Sequence, residues 1–245
     1  MTVDKQKFTA TLNRIFEANS LGRLLSREVC EKLHVLTEHM LTENEKYNLT
    51  AITEPEKIIL NHYADCAVLA VRLPKGARVA DIGCGAGFPT LPVALFRPDV
   101  TVTGIDSTAK RVAYVAGAAE LIGLKNVEAV TMRAEDGGRD PKYREKFDVV
   151  TARAVAELRV LSELCLPYVK VGGSFIAMKG KNAEFELQAA KRAIATLGGR
   201  NVKTETVNLV GEGESLSHPL IIIEKKERTP ATYPRPYAQI SKKPL

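Results

Sequence analysis

The stretch Asp81-Ile82-Gly83-Cys84-Gly85-Ala86-Gly87-Phe88-Pro89 decides the reading of this chain. A β-rich run, Arg78 to Ile82, leads into it and a helical run, Leu91 to Phe96, follows, so the glycines fall where a strand gives way to a helix. Gly83, Gly85 and Gly87 at alternate positions let the backbone pass close against a ligand with no side chain in the way. A dinucleotide fingerprint would put its third glycine at position 88, where Phe88 stands. A leading acid followed by G-x-G-x-G is instead the form found in enzymes that bind S-adenosylmethionine, which has no pyrophosphate to seat on the helix N-terminus.

Outward from this loop, short β-rich runs alternate with helical stretches. Strands are predicted at Arg78 to Ile82, Thr101 to Ile105, Val127 to Met132, Phe147 to Thr151 and Gly173 to Met178, with helices at Leu91 to Phe96, Ala109 to Ile122, Val155 to Val169 and Ala183 to Leu197. Such alternation means a parallel sheet covered on both faces, with ligands at the carboxyl ends of its strands. Val202 to Val210 and Pro219 to Glu224 follow with no helix between them, so an antiparallel hairpin turning at Gly211-Glu212-Gly213 completes seven strands. Before Pro74-Lys75-Gly76 the pattern is helical only: Phe8, Leu12, Ile15 and Phe16 share one face, then Val29, Leu33, Leu36, Met40 and Leu41 another. The division expected is a helical extension (1–73), an α/β ligand-binding domain (74–228) and a basic, proline-rich tail (229–245) that is neither helix nor central strand.

Composition excludes several classes. At 245 residues, 45% hydrophobic and 26% charged, the chain builds a full core and is neither disordered nor collagen-like. No apolar run nears the roughly 18 residues of a membrane span and the start reads as no secretion signal, so a cytoplasmic location is expected. Cys30, Cys66, Cys84 and Cys165 form no C-x-x-C pair and the four histidines no cluster; neither a disulfide framework nor a metal site is expected. Of the net charge of +6, residues 225–245 supply most: six basic residues, Arg235 among them, against Glu227. A basic tail suits a phosphate backbone or is simply solvated.

Further candidate residues lie at strand ends. Asp106 stands 19 residues after Gly87, where a carboxylate accepts hydrogen bonds from ribose hydroxyls or caps the next helix. Ala134-Glu135-Asp136 is placed to meet an adenine edge, or is a polar turn. Arg153, within the small apolar run Thr151 to Ala156, needs an anionic partner: a ligand carboxylate, an RNA phosphate or an internal carboxylate. Lys179-Gly180-Lys181 opens onto the same rim, and Lys179 meets phosphate or solvent there. Cys84 reads as a small loop filler, and Asp81 as a brace for the loop or as an acceptor near the reacting base. No Asn/Asp-Pro-Pro-aromatic segment follows the fourth strand, which argues against methylation of an exocyclic base amine. No cysteine has the context of a pyrimidine C5 nucleophile.

With these residues in place, the chain resembles the bacterial ribosomal small-subunit methyltransferase G family, also called glucose-inhibited division protein B. The segments that carry the resemblance are Tyr47-Asn48-Leu49-Thr50-Ala51-Ile52, His62 with Asp65, the glycine loop through Phe88-Pro89, Asp106-Ser107 with Lys110-Arg111, Arg153-Ala154-Val155-Ala156, Lys179-Gly180, and Thr229-Pro230 with Tyr233-Pro234-Arg235. Cys66, Cys84, Thr90, Ala238 and Ile240 depart from the residues usual in the family. The resemblance implies a Rossmann-like, class I S-adenosylmethionine-dependent fold. It also implies methyl transfer from S-adenosylmethionine, leaving S-adenosylhomocysteine, to N7 of a guanine in the 530 loop of 16S rRNA, within the small ribosomal subunit or its precursor. Cofactor contacts carried over are Gly83, Phe88, Ala134, Glu135 and Arg153, beside Gly85, Gly87 and Asp106 from the loop reading; Asn48, His62, Asp65, Lys179 and Arg235 are candidate substrate contacts. Asn48, Asp65 and Asp81 are each a candidate acceptor for the charge of a methylated guanine, and no catalytic acid or base is assigned. The rival readings are an RNA-binding assembly factor that keeps the loop only as structure, and a nicotinamide-dependent oxidoreductase.

Overall fold

The computed structural model describes residues 3–153, 155–180 and 182–245. A seven-stranded sheet of order β3-β2-β1-β4-β5-β7-β6 forms its centre: β1 Arg78–Ile82, β2 Thr101–Asp106, β3 Val127–Thr131, β4 Phe147–Arg153, β5 Val169–Met178, β6 Gly199–Val210 and β7 Ser215–Lys225. The first five run parallel; β7 lies antiparallel to β5 and β6 to β7. The strand order reverses between β1 and β4, and the loops leaving these neighbours diverge to opposite faces, opening the crevice where α/β sheets bind ligands.

Strand periodicity sends alternate residues to two cores. Val79, Val102, Val149 and Ile176 face one; Ala80, Ile105, Val150 and Phe175 face the other. The first core is closed by the N-terminal helices. α1 Lys5–Ala18 starts where Asp4 accepts from Lys7 N at 2.9 Å and buries Phe8, Leu12, Ile15 and Phe16. α2 Arg27–Tyr47 starts at the Ser26 cap, buries Leu33, Leu36 and Met40, and ends at Asn48, whose φ of 49° stops the helix in the left-handed region. A broken helix follows, α3 Pro55–Ile58, a π-helical turn Ile59–Ala64 and α4 Asp65–Ala70. Next to it on the same face lie α5 Thr90–Phe96 and α6 Ala109–Leu121. The second core is closed by α8 Leu158–Cys165 and α9 Ala183–Thr196; the short α7 Ala134–Gly137 lies between β3 and β4.

Three expectations change. The helix after β4 stops at Cys165 because Pro167 cannot continue it, and a 3₁₀ turn, Leu166–Tyr168, feeds β5 four residues earlier than predicted. The hairpin strands are longer than their apolar runs, since antiparallel pairing carries each through polar residues at the sheet edge. The tail contains a helix, α10 Tyr237–Lys242, which Pro230, Pro234 and Pro236 precede and Pro244 follows, so that none interrupts it, and its Ile240 is fully buried in the second core. Among the described residues no helix is long and apolar enough to cross a membrane.

Candidate functional site

A cavity of about 540 Å³ opens over the carboxyl ends of β1, β2, β3 and β4. Its floor is the glycine loop. Gly83 has φ +77°, and a Cβ there would stand 2.6 Å from Val155 Cγ2; Gly85 has φ +54° and also lines the cavity. Gly87 does not. With φ +82° and a Cβ position 2.7 Å from Leu91 Cδ1, it lets the loop close onto α5. Asp81 braces the loop from beneath, its Oδ2 accepting from Thr90 Oγ1 at 2.6 Å and Thr90 N at 3.2 Å. Thr90, a departure from the family pattern, thus acquires a task. Burial raises the Asp81 pKa to about 6, and its Oδ1 is buried with no partner.

Asp106, at the end of β2, lines the cavity. Its Oδ1 accepts from Thr108 N at 2.8 Å and its Oδ2 from Gly85 N at 3.1 Å, so the carboxylate orients the loop rather than capping α6, whose cap position is Thr108. Each oxygen keeps a lone pair toward the cavity for a hydroxyl. Ala134 and Glu135 open α7 on the same wall, with Met132 and Leu164 beside them. Cys84 lines the floor as a buried filler, and burial pushes its thiol well above the ordinary range, away from nucleophilic use. Among the described residues no group of His, Cys, Asp or Glu is arranged to hold a metal ion.

At the mouth, elements distant in sequence meet. His62, on the π-helical turn, stacks on Phe88 with ring centroids 4.4 Å apart, and Arg153 lies over the same phenyl ring at 5.6 Å. The extra residue of a π turn is what rotates His62 toward the cavity while Asp65, three residues on, faces inward. Arg153 Nη1 donates to Asn61 O at 3.1 Å and sits 3.5 Å from Asp65 Oδ2; its Nη2 faces His62 Nδ1 at 3.3 Å. His62 Nε2 is 3.2 Å from Thr50 Oγ1, a hydroxyl that can donate or accept, and Nδ1 lies 3.1 Å from Asn61 O as well as facing Arg153. Burial, reinforced by the Arg153 cation, drops the His62 pKa to about 4 and keeps the ring neutral. On the far side of Asp65, His218 Nε2 approaches Oδ1 at 2.6 Å from β7.

The fold therefore brings Gly83, Gly85, Phe88, Asp106, Ala134, Glu135, Arg153 and His62 to one cavity, and places the other candidates elsewhere. Asp65 is enclosed by Arg153 and His218, and Asp81 lies under the loop, so neither reaches a base in the cavity as an acceptor. Asn48 is exposed at the end of α2; its neighbours Leu49 and Thr50 line the mouth in its stead. Lys179 is 10% exposed and bound to Glu186 at 2.7 Å and Ala156 O at 2.8 Å. It ties α9 to the loop after β4 and offers no charge to a phosphate. Arg235 grips the buried Glu163 with its backbone N–H and guanidinium at 2.6–2.9 Å. Lys225, at the end of β7 and counted from the sequence with the basic C-terminal stretch, is fully buried and donates to Leu166 O and Thr229 Oγ1, each at 2.6 Å. Ala154 and Lys181, within motifs read from the sequence, lie outside the described residues.

Two residues were not found by sequence reasoning. His218 had no local signal, because its partner is 153 positions away. Tyr237 lines the cavity from the tail; a signal that was there to be read is Glu163, an acid within the apolar run of α8 that demands a cation.

The match to the family described as rRNA small subunit methyltransferase G spans residues 29–214. A ribosomal RNA small subunit methyltransferase G of Clostridium perfringens is 45% identical over 229 residues, covering 93% of this chain and 95% of that one. Its counterpart in Lactobacillus delbrueckii subsp. bulgaricus is 44% identical, covering 85% and 88%. Among solved structures, an O-methyltransferase from Bacillus cereus in complex with SAH aligns with a TM-score of 0.56 at 16% identity, over 90% of this chain and all of that one. A SAM-dependent O-methyltransferase from Thermotoga maritima aligns at 0.54 and 14% identity, over 77% and 72%. At such identities these two show the shared Rossmann-like fold, while the sequence matches decide the kinship: the chain belongs to the rRNA small subunit methyltransferase G family.

Proposed function

We propose that this protein transfers a methyl group from S-adenosylmethionine to N7 of the 530-loop guanine in 16S rRNA. The reading rests on one observation: the cavity at the reversal of the strand order is walled by the Gly83–Gly85 backbone, the carboxylates of Asp106 and Glu135, and three arginines, Arg111, Arg133 and Arg153, in a member of this family. The donor set matches S-adenosylmethionine. Asp106 serves the ribose hydroxyls, the Ala134–Glu135 turn the adenine edge, and Arg153 the amino-acid carboxylate, while the side-chain-free loop leaves room for close backbone approach. When bound, S-adenosylmethionine supplies a methyl group on a sulfonium, open to a lone pair without prior activation.

Guanine N7 carries an in-plane lone pair and no proton, so the chain's residues are asked for alignment rather than acid–base work. Holding the reacting groups in line contributes roughly 7–11 kcal/mol at best. His62 fits that demand: neutral, weakly basic, and stacked on Phe88, it is a fixed aromatic wall at the mouth rather than a proton acceptor. Mouth residues Leu49, Thr50, His62 and Phe88 receive the base.

The test is transfer of tritiated methyl from labelled S-adenosylmethionine to small subunits from cells lacking the enzyme, with the modified nucleotide mapped by nuclease digestion and mass spectrometry. Label at N7 of the 530-loop guanine is expected. Absence of label on subunits and precursors, with S-adenosylhomocysteine binding intact, would replace this reading with that of an RNA-binding assembly factor.

A further inference from the structure

The tail from Thr229 onward is fixed at successive points. Thr229 Oγ1 accepts from Lys225 Nζ at 2.6 Å and donates to Leu197 O at 2.9 Å. Arg144 then donates to the carbonyls of Thr229 at 2.7 Å and Tyr233 at 2.8 Å. Arg235 locks onto Glu163, whose side chain is fully buried, and five residues later Ile240 is sealed in the second core. Between these last two anchors the backbone has little freedom, and the residue it displays is Tyr237.

Tyr237 is 42% exposed and lines the cavity. α10 packs on α8, and α8 on α7, so Tyr237 joins the side built by Leu164, Ala134 and Glu135. Met132 adds apolar surface to that side, and Arg133 stands 3.8 Å from Glu135. An aromatic side chain there is suited to a flat heteroaromatic ring, which gains by offset stacking.

We propose that the tail is a clasp for the methyl donor, and that Tyr237 stacks on the adenine of S-adenosylmethionine. This rests on the donor reading of the cavity. It also reassigns Arg235: its charge holds the clasp shut on Glu163 instead of meeting an RNA phosphate, and acts on the donor only through Tyr237.

The experiment is calorimetric titration of S-adenosylhomocysteine into wild type, Tyr237→Ala, Tyr237→Leu and Tyr237→Phe, with filter binding of a 16S rRNA fragment measured alongside. The expected result is a fivefold to hundredfold loss of affinity for the Ala and Leu variants and near-wild-type affinity for Phe, with RNA affinity constant throughout. Thermal melts show whether each variant keeps its fold, and Tyr237→Leu keeps the apolar bulk without the π face. Wild-type affinity in Tyr237→Ala or Tyr237→Leu would overturn the stacking role, and a selective loss of RNA affinity would transfer the ring to the nucleic acid. If wild type itself fails to bind S-adenosylhomocysteine, the donor reading of the cavity falls; that outcome is distinct from binding by wild type that Tyr237 does not influence.

Discussion

At the cavity mouth Arg153 has three loose neighbours, at 3.1, 3.3 and 3.5 Å, on a carbonyl, an imidazole and one oxygen of a carboxylate. On the tail Arg235 fits Nε and Nη2 onto both oxygens of Glu163, at 2.9 and 2.6 Å, and adds its backbone N–H. Both arginines are about four-fifths buried, and both read from the sequence as partners for an anionic ligand. The difference is in the fork. A guanidinium whose two parallel donors are filled by one carboxylate has no bidentate capacity left, whereas no single carboxylate fills the fork of Arg153, which lines the cavity beside Phe88. The tail's charge therefore serves adhesion, and we propose that the mouth's charge serves a ligand. The two regions should separate cleanly when stability and donor binding are measured on the same variants.

The largest effect is expected at Glu163. Glu163→Gln keeps the shape but leaves the Arg235 charge, about four-fifths buried, without a counter-charge, and urea denaturation should show a loss of about 3–5 kcal/mol. Glu163→Leu combined with Arg235→Leu should recover part of it, since removing both charges removes the desolvation penalty that a single removal exposes. Wild-type stability in Glu163→Gln would dissolve the contrast. The cavity answers in the other observable. Gly83→Val puts a β-branched residue at φ +77° with its Cβ against Val155, and calorimetry should find S-adenosylhomocysteine affinity down by more than about a hundredfold, with stability reduced by roughly 1–3 kcal/mol.

Much of the architecture was legible because it follows from periodicity and punctuation. β1 ends in the glycine loop and β2 in Asp106, and parallel pairing in register, Ile82 beside Ile105, sets those ends side by side. The residues that follow strand ends accordingly meet at one cavity. What was not legible depends on partners far along the chain. Lys179 and Arg235 read as open cations because Glu186 and Glu163 reveal their direction only once α8 and α9 are packed. Asp65 read as a candidate acceptor because nothing near it in sequence announces His218. His62, on a π turn that leaves no simple periodic signature, lines the cavity, and Asp65 does not. The sequence patterns locate backbone; whether a charged side chain is free is settled by long-range packing.

Arg153→Gln sharpens the comparison from the other side. Asp65 keeps His218 at 2.6 Å when the guanidinium is gone, so the buried carboxylate is not stranded and the melting midpoint should move little. Donor affinity should fall by roughly tenfold to a hundredfold with the loss of a charge-assisted contact, and Arg153→Lys should not restore it, because an ammonium cannot reproduce the planar fork. A large fall in stability with donor affinity intact would put Arg153 in the same structural role as Arg235.

The smallest effect, and the finest test, is the pH dependence of stability set by the two histidines flanking the Arg153–Asp65 pair. Burial alone would lower the His218 pKa, but the hydrogen bond and charge of Asp65 outweigh it and raise the value. His218 therefore stabilises the fold fully below the ordinary histidine value of 6.5, and this contribution is lost as pH rises through the higher folded-state value. His62 does the opposite. With its pKa held at about 4, it resists protonation that the unfolded chain accepts below 6.5, so stability falls as pH drops from 6.5 toward 4. Denaturant midpoints measured across this range should pass through a maximum for these two groups near 6.5. His218→Gln should flatten the alkaline limb and His62→Gln the acid limb, each leaving the other in place. If His62→Gln left the acid limb unchanged, the ring would not be held neutral in the fold by burial and the Arg153 cation, and its buried place at the cavity mouth would have to be redrawn.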